Sequence, residues 1–139
     1  YFDSIFPALQ ETYQGLTSKR LIDINIEIMN FICEYLDIKT EISFSSDMKN
    51  KNLEKSLRIL DICIENNATR YITGSKSKNY LDENLFKSKK VRIEFEGFEN
   101  YPSYDQLWGL FNEKVSVIDL LFNEGPNSYK FMKYVKPNE

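Results

Sequence analysis

Two serines and two lysines, Ser75, Lys76, Ser77 and Lys78, follow Gly74 directly in the sequence. Hydroxyl and ammonium groups are donors that bind phosphate and carboxylate oxygens. We place this run between a predicted strand and a predicted helix, whose first backbone N–H groups have no partner within the helix. Those groups also carry about half a unit of positive charge. The five residues therefore predict a loop that binds a small anion.

The same residues allow simpler interpretations. Ser75 or Ser77 can cap the helix, with both lysines in solvent, and capping alone would account for the serines. The run also fits the Ser-x-x-Lys pattern of a serine nucleophile and its base, but the partner motifs of such enzymes are not visible in the chain. The second glycine and the Gly-Lys-Ser/Thr ending of a P-loop are absent as well. An anion-binding loop and a plain helix cap are therefore the two interpretations that stay open.

An aromatic ring and an amide lie close together further along the chain, at Tyr104 and Gln106. Such groups stack on a sugar or a nucleobase and form hydrogen bonds with it, so we predict that both residues bind ligand. The alternative is that Tyr104 covers the edge of the core beside Trp108. Asp119 fits the last position of a capping box that begins at Ser116, and we expect it to bond there rather than act as a base.

The chain contains no histidine and only two cysteines. Catalysis by a Ser-His-Asp or a Cys-His arrangement is therefore excluded within these residues, and the composition argues against a zinc site. Cys33 and Cys63 both fall on the apolar stripe of a predicted helix, so we expect buried, reduced thiols. No metal is predicted, and the sequence indicates no particular cofactor.

Composition predicts a single packed α/β domain over residues 1–139. Hydrophobic residues make up 42% of the 139 residues and charged residues 28%, which is typical of a globular domain. The formal net charge is −3 and the charges are scattered, so we do not expect general nucleic-acid binding. No apolar run is long enough for a membrane span, and no secretory signal is visible. We expect a cytoplasmic protein.

The first half of the chain predicts three helices and a strand. Ser4 can cap a first helix, with Pro7 in its first turn, and Asp23 can cap a second helix. Alternation over residues 41–45 predicts a half-buried strand with Ile42 and Phe44 on one face. A third helix is predicted from residue 47 to about 65, and its apolar positions, Leu53, Leu57, Leu60 and Ile64, are expected to face the core.

The second half predicts two further strands, over residues 70–73 and 91–96, joined by a helix. Strands that alternate with helices indicate a small, mostly parallel sheet of about three strands, with helices packed on it. Ligands bind beyond the carboxyl ends of such strands, which is where residues 74–78 fall. A C-terminal helical section is predicted next, with a helix begun by Ser103 or Asp105 and another from Val117 to about residue 123. A last helical turn is predicted around residues 131–134.

Several of these fragments resemble the WbqC-like protein family. The matching runs are RYITG (70–74), KNYLD (78–82), YDQ (104–106), Phe111 and SVIDLLFNEGP (116–126), with residues 21–45 similar to the helix and strand that precede them. The resemblance implies a bacterial protein often encoded among genes for surface polysaccharide or O-antigen assembly. The family's N-terminal segment, with its Gln-Pro loop, has no counterpart here. We therefore expect sequence upstream of Tyr1, and a chain that is the C-terminal portion of a longer WbqC-like domain.

Together, the residues and the resemblance lead to one hypothesis with two alternatives. We expect the protein to bind a small anionic metabolite, such as a nucleotide-linked sugar, in surface polysaccharide biosynthesis. One alternative is a transferase that uses an activated acyl or nucleotidyl donor, which the fold pattern alone suggests. The other is a non-catalytic scaffold that binds a biosynthetic enzyme through Tyr101, Tyr104 and Trp108. The sequence indicates neither a reaction nor an oligomeric state.

Overall fold

The chain forms two compact units in a computed structural model, which describes residues 1–49, 55–97 and 101–133. Unit 1 comprises Tyr1–Thr40 and Phe98–Glu139, and unit 2 comprises Glu41–Gly97. In chain order the elements are α1 (Phe2–Gly15), α2 (Leu21–Tyr35), α3 (Lys55–Glu65), β1 (Arg70–Gly74), a 3₁₀ helix (Ser75–Asn79), α4 (Glu83–Ser88), β2 (Arg92–Glu96), α5 (Val117–Glu124) and a second 3₁₀ helix (Gly125–Phe131). The predicted α/β class is therefore confirmed. A single domain over the whole chain stays a prediction.

Unit 1 is helical, and α1 packs against both α2 and α5. The contact buries apolar side chains from the first and last of these helices, at Ile5, Leu9, Leu120 and Leu121. The Phe2 ring stacks on Phe6 at 4.7 Å between centroids. Removing this apolar surface from water is what favours the packing.

The start of α1 differs from the prediction. Tyr1 is the N-cap residue, and the Ser4 hydroxyl donates to the Tyr1 carbonyl oxygen over 2.8 Å instead of capping the helix. Pro7 consequently lies inside the helix rather than in its first turn, where its missing N–H leaves one helical hydrogen bond unmade. The helix ends at Gly15.

The start of α2 also differs. Arg20 is the N-cap residue, and the Asp23 carboxylate, in the first turn, accepts a hydrogen bond from the Ser18 hydroxyl over 2.6 Å. Asp23 therefore stabilises the helix start from inside, where a negative charge is favourable near the helix N-terminus.

Unit 2 contains a parallel pair of strands, β1 and β2, whose register runs from Arg70 opposite Arg92 to Gly74 opposite Glu96. The first 3₁₀ helix and α4 form the connection between them. Phe86 of α4 is fully buried and stacks on Tyr71 of β1 at 5.8 Å. The buried core of this unit consists of Leu60, Cys63, Leu81, Phe86 and Val91.

The strand predicted at residues 41–45 is wrong, because residues 41–44 have irregular backbone. Ile42 and Phe44 are each 40% exposed, so their alternation does not mark a face that packs on a core. Alternation over so few residues is a weak signal without a neighbouring strand. The sheet of the described residues therefore has two strands.

The predicted helix before β1 is confirmed only over α3, and residues 50–54, including Leu53, lie outside the described residues. Leu60 and Cys63 are buried as expected. Leu57 and Ile64 were predicted to face the core, but they are 47% and 45% exposed. The helix ends at Glu65, and Asn67 takes the left-handed conformation with φ 52°.

The C-terminal section contains α5 as predicted, and the Ser116 hydroxyl caps it by accepting from the Ile118 N–H over 3.3 Å. Gly125 ends it with φ 53°, at a point where any Cβ would overlap the Tyr1 ring. The helix predicted to start at Ser103 or Asp105 is wrong, because residues 101–110 contain no regular element. Of the predicted last turn, Phe131 ends the second 3₁₀ helix, and residue 134 lies outside the described part of the chain.

Candidate functional site

The predicted anion loop is a 3₁₀ helix that directly follows β1. We call residues Ser75–Asn79 the carboxyl-end turn. Gly74 is the last residue of the strand, so the turn lies at the carboxyl end of the parallel pair, as predicted. The amphipathic helix expected immediately after it begins only at Glu83. Its first N–H groups are also occupied, because the Asp82 carboxylate accepts from Asn84 N and Leu85 N over 3.1 and 3.2 Å.

Ser77 is the residue around which the carboxyl-end turn is organised. Its side chain is buried, and its hydroxyl lies 2.7 Å from the Thr73 hydroxyl and 2.9 Å from the Tyr80 hydroxyl. Its carbonyl oxygen accepts from the N–H groups of Tyr80 and Leu81 over 3.1 and 3.0 Å. This hydrogen bonding joins the strand end to the turn, so Ser77 positions the turn.

The exposed side chains of the turn are Ser75, Lys76, Lys78 and Asn79. The Lys78 ammonium lies 5.0 Å from the centroid of the Phe95 ring on β2, in a cation–π contact. That contact holds one cation beside the carboxyl end of the second strand. Lys76 and Lys78 are therefore the cations of the turn that an anion in solution can reach.

Tyr104 and Gln106, the other predicted ligand-binding residues, belong to unit 1 and meet at Asp119. The Tyr104 hydroxyl and the Gln106 amide both donate to one oxygen of this carboxylate, over 2.8 and 3.0 Å. Asp119 was predicted to complete a capping box with Ser116. Instead, its carboxylate pairs with residues that precede it by more than ten positions, a contact that no local pattern indicates.

The surroundings of Tyr104 are largely apolar. Its ring lies edge-on to Phe111 and Phe131, at 5.2 and 5.6 Å. Burial raises the pKa of the Tyr104 phenol above its ordinary 10.0, and the hydrogen bond to Asp119 raises that pKa further. The ring also lines a cavity of about 250 Å³ together with Tyr101 and both phenylalanines.

Gln106 closes a loop that the sequence did not predict. Its side chain accepts from the Asn112 N–H over 2.8 Å and donates to the Asn112 carbonyl oxygen over 3.0 Å. Within the segment between them, we call residues 107–110 the apolar loop. Its large side chains are mostly exposed, with Leu107 at 75%, Trp108 at 83% and Leu110 at 94%.

A second group of residues that was not predicted lies at the amino end of β2. A cavity of about 540 Å³ opens there between α4 and the turn into the strand. We call it the amino-end groove. Its lining includes Glu83, Asn84, Lys87, Lys90, Val91 and Arg92. The sequence shows the lysine-rich run, but no local pattern separates the lysines of a groove from lysines that are simply solvated.

A third cavity, of about 660 Å³, lies between α1 and α2 in unit 1. Glu11, Glu27 and Glu34 contribute carboxylates to it, and Phe31 and Tyr35 contribute rings. Its acidic lining would repel the anionic metabolite that the sequence predicts. Burial raises the pKa of the Tyr35 phenol, with a smaller contribution from Tyr1.

Metal clusters and membrane-crossing helices are both absent from the described residues. Residues 1–49, 55–97 and 101–133 contain no group of three or more histidine, cysteine or acidic side chains that could hold a metal ion. In the same ranges, no helix combines the length and the apolar character that crossing a bilayer requires.

Comparisons with known proteins place these observations in a family. The sequence model of the WbqC-like protein family matches residues 1–131. "Uncharacterized protein Rv1507c" of Mycobacterium tuberculosis is 34% identical over 136 residues, which is 98% of this chain and 58% of the relative. The chain thus spans little more than half the length of that relative. No solved structure matches the chain. Because the family match covers nearly all of the sequence, the chain belongs to the WbqC-like protein family.

Proposed function

We propose that this protein binds a small anionic metabolite at the carboxyl-end turn, as a cytoplasmic component of surface polysaccharide biosynthesis. A nucleotide-linked sugar is the first ligand to test. The observation that carries the proposal is the position of two reachable cations, Lys76 and Lys78, at the carboxyl end of a parallel strand pair. Ligands of parallel sheets bind at this end because the loops that follow the strands converge there.

The chemistry of the turn fits a phosphate group that is held by side chains. Lys76 and Lys78 supply charge, and the exposed Ser75 hydroxyl supplies a neutral donor. The Ser77 hydrogen bonds keep the backbone of the turn fixed, so less order has to be imposed when a ligand binds. As a separate site within unit 1, the aromatic cavity beside Tyr104 offers ring surfaces that suit a sugar or a base.

The test is a titration of the full-length protein with UDP-glucose, followed by NMR of the backbone amides. Amides of residues 74–78 should shift in a saturable way. Lys76→Gln combined with Lys78→Gln should weaken binding by roughly tenfold, the effect of losing charge-assisted contacts to a phosphate.

Lys89→Gln is the matched control, because Lys89 is an exposed lysine outside the carboxyl-end turn and should leave the affinity within about twofold. The proposal fails if a series of nucleotide-linked sugars leaves the amides of residues 74–78 unchanged. It also fails if the control weakens binding as much as the double substitution does.

The scaffold alternative is favoured by a separate observation, the apolar loop. Exposed tryptophan side chains are often the hot spots of protein–protein interfaces, and burying the leucines beside them removes further apolar surface from water. Trp108 is 83% exposed, and Gln106 holds the ends of the loop together. The scaffold hypothesis also includes the rings of Tyr101 and Tyr104, and the Tyr104 hydroxyl is bonded to Asp119. The partner would be a biosynthetic enzyme with an apolar pocket.

The fluorescence of Trp108, the only tryptophan of the chain, tests the scaffold directly. Its emission should be that of an indole in water, and it should shift to the blue when a purified enzyme of the same biosynthetic route binds. Trp108→Ala should abolish this complex and leave the UDP-glucose titration unchanged. Emission that is the same with and without each candidate enzyme would count against the scaffold.

A further inference from the structure

The charged lining of the amino-end groove consists of three cations and one carboxylate. Lys87 and Lys90 are exposed, and neither forms an ion pair in the part of the chain that the structure describes. Arg92 also lines the groove, but its Nε lies 3.4 Å from a carboxylate oxygen of Glu94, which matches part of its charge. Glu83 adds one negative charge to the lining. Three cations against Glu83 and the partly shared Glu94 leave the groove with an excess of between one and two positive charges, which attracts a phosphate group.

The backbone of the groove leaves recognition to side chains. The N–H groups of Lys89 and Lys90 donate to the carbonyl oxygens of Phe86 and Lys87, each over 3.0 Å, and the Val91 N–H donates to Phe86 over 3.1 Å. These bonds fix the turn in which Lys90 takes a φ of 61°. The positions from which the two lysine side chains extend are therefore set by the fold.

The groove also offers an apolar floor and a neutral donor. Val91 at its base is 4% exposed. The side-chain amide of Asn84 forms no hydrogen bond with any residue that the structure describes, so its N–H groups can donate to a ligand oxygen. A volume of about 540 Å³ is in the usual range for small-molecule sites.

We propose that the amino-end groove binds the phosphate or diphosphate group of a small molecule. Lys87 and Lys90 bind the phosphate oxygens, the Asn84 amide donates to one of them, and Val91 contacts the apolar part of the ligand. Glu83 opposes binding, because its carboxylate repels the same oxygens. This site is separate from the carboxyl-end turn and does not depend on the function proposed for that turn.

The experiment is a titration of the full-length protein with pyrophosphate, by calorimetry and by NMR of the backbone amides at low ionic strength. Amides of residues 84–93 should shift, and the affinity should fall as salt is added, because screening weakens exposed charge pairs. Lys87→Gln combined with Lys90→Gln should weaken binding by roughly tenfold or more. Lys87→Arg with Lys90→Arg should retain most of it. Glu83→Gln should tighten binding by about twofold.

Lys89→Gln is the matched control, since Lys89 is exposed in the same turn but does not line the groove. It should change the affinity by less than about twofold. Equal weakening by Lys89→Gln would show that pyrophosphate follows overall charge, and would overturn the proposal. Absence of any shift in residues 84–93 at millimolar pyrophosphate would overturn it as well.

Two further measurements distinguish the groove from a nucleic-acid site and from the carboxyl-end turn. A single-stranded oligonucleotide that displaces pyrophosphate and binds far more tightly would assign the groove to a nucleic-acid backbone and overturn the small-molecule proposal. Lys76→Gln with Lys78→Gln should not affect pyrophosphate binding in the groove. If the same double variant binds UDP-glucose as well as the wild type does, the proposal for the carboxyl-end turn fails and the proposal for the groove is unaffected. The two proposals therefore fail independently.

Discussion

The two ends of the parallel strand pair contain similar residues but use them differently. At the carboxyl end, Ser77 has its hydroxyl and carbonyl groups in hydrogen bonds, and Lys78 rests on Phe95. At the amino end, Lys87 and Lys90 extend into a cavity with no ion-pair partner among the described residues. Polar groups with partners stabilise a fold, whereas unpaired cations beside a cavity are free for a ligand. Substitution of Ser77 should therefore cost stability, whereas substitution of Lys87 or Lys90 should cost affinity for a ligand and leave stability nearly unchanged.

The largest effect should come from removing the largest fully buried side chain of unit 2. Phe86 is fully buried and belongs to the α4 turn beside the groove. Phe86→Ala should lower the free energy of unfolding by about 3–5 kcal/mol, because it leaves a cavity in the core. Urea denaturation followed by circular dichroism measures this loss. Leu110→Ala, at a side chain that is 94% exposed, is the control and should change it by less than about 0.5 kcal/mol.

The hydrogen bonds of Tyr104 extend the comparison to unit 1, where polar groups are again paired. Tyr104→Phe should cost about 1.5–3 kcal/mol, the range for a hydrogen bond to a charged group. The raised pKa of the Tyr104 phenol also implies a pH effect. The unfolded chain loses this proton at a lower pH than the folded chain, so the stabilisation is complete below pH 10.0 and is lost as pH rises through the folded pKa.

Urea titrations of the wild type and Tyr104→Phe at several alkaline pH values check this expectation. The wild type should lose stability more steeply above pH 10 than the variant does. Parallel pH profiles for the two proteins would show that the phenol of Tyr104 does not contribute.

The next effect concerns the start of α4, the helix that presents Asn84 and Lys87 to the groove. Asp82→Ala removes the carboxylate that accepts from two N–H groups at the helix start and should cost about 1 kcal/mol. Asp82→Asn should keep most of the stability, because asparagine is also a good N-cap residue. If both variants lose the same amount, charge rather than capping is responsible.

The smallest effects test the two ends directly. Ser77→Ala should cost about 0.5–1.5 kcal/mol, because its hydroxyl bonds to Thr73 and Tyr80. Lys87→Gln should change stability by less than about 0.5 kcal/mol, since Lys87 is exposed and has no ion-pair partner in the described ranges. Equal losses at the two positions, measured by urea denaturation, would remove the distinction between a paired end and an unpaired end.

Local patterns in the sequence predicted the parts of this fold that depend on neighbouring residues. The two strands at residues 70–74 and 92–96 and the Ser116 cap follow from short-range preferences. The strand predicted at residues 41–45 was wrong because the alternation of Ile42 and Phe44 does not correspond to a buried face. Alternation predicts a strand only where a core or another strand is present to pack against it.

Contacts between residues that are apart in the sequence determine the structure around the candidate site residues of unit 1. Local sequence patterns do not indicate such contacts. The helix predicted near residue 105 is replaced by a loop because the Gln106 side chain bonds to Asn112, and Gly109 takes a φ of 71° within it. Asp119 was expected to complete a capping box, but its carboxylate accepts a hydrogen bond from the Tyr104 hydroxyl instead. The lysines of the amino-end groove were visible in the sequence, but only the cavity beside them distinguishes them from ordinary surface residues.

The division of the chain has a consequence for how the protein is made. Unit 2 is one continuous stretch, residues 41–97, whereas unit 1 combines the first forty residues with the segment after residue 97. On the ribosome, unit 2 can therefore fold as soon as its own stretch has emerged, but α1 must wait for α5 before it can bury Ile5 and Leu9.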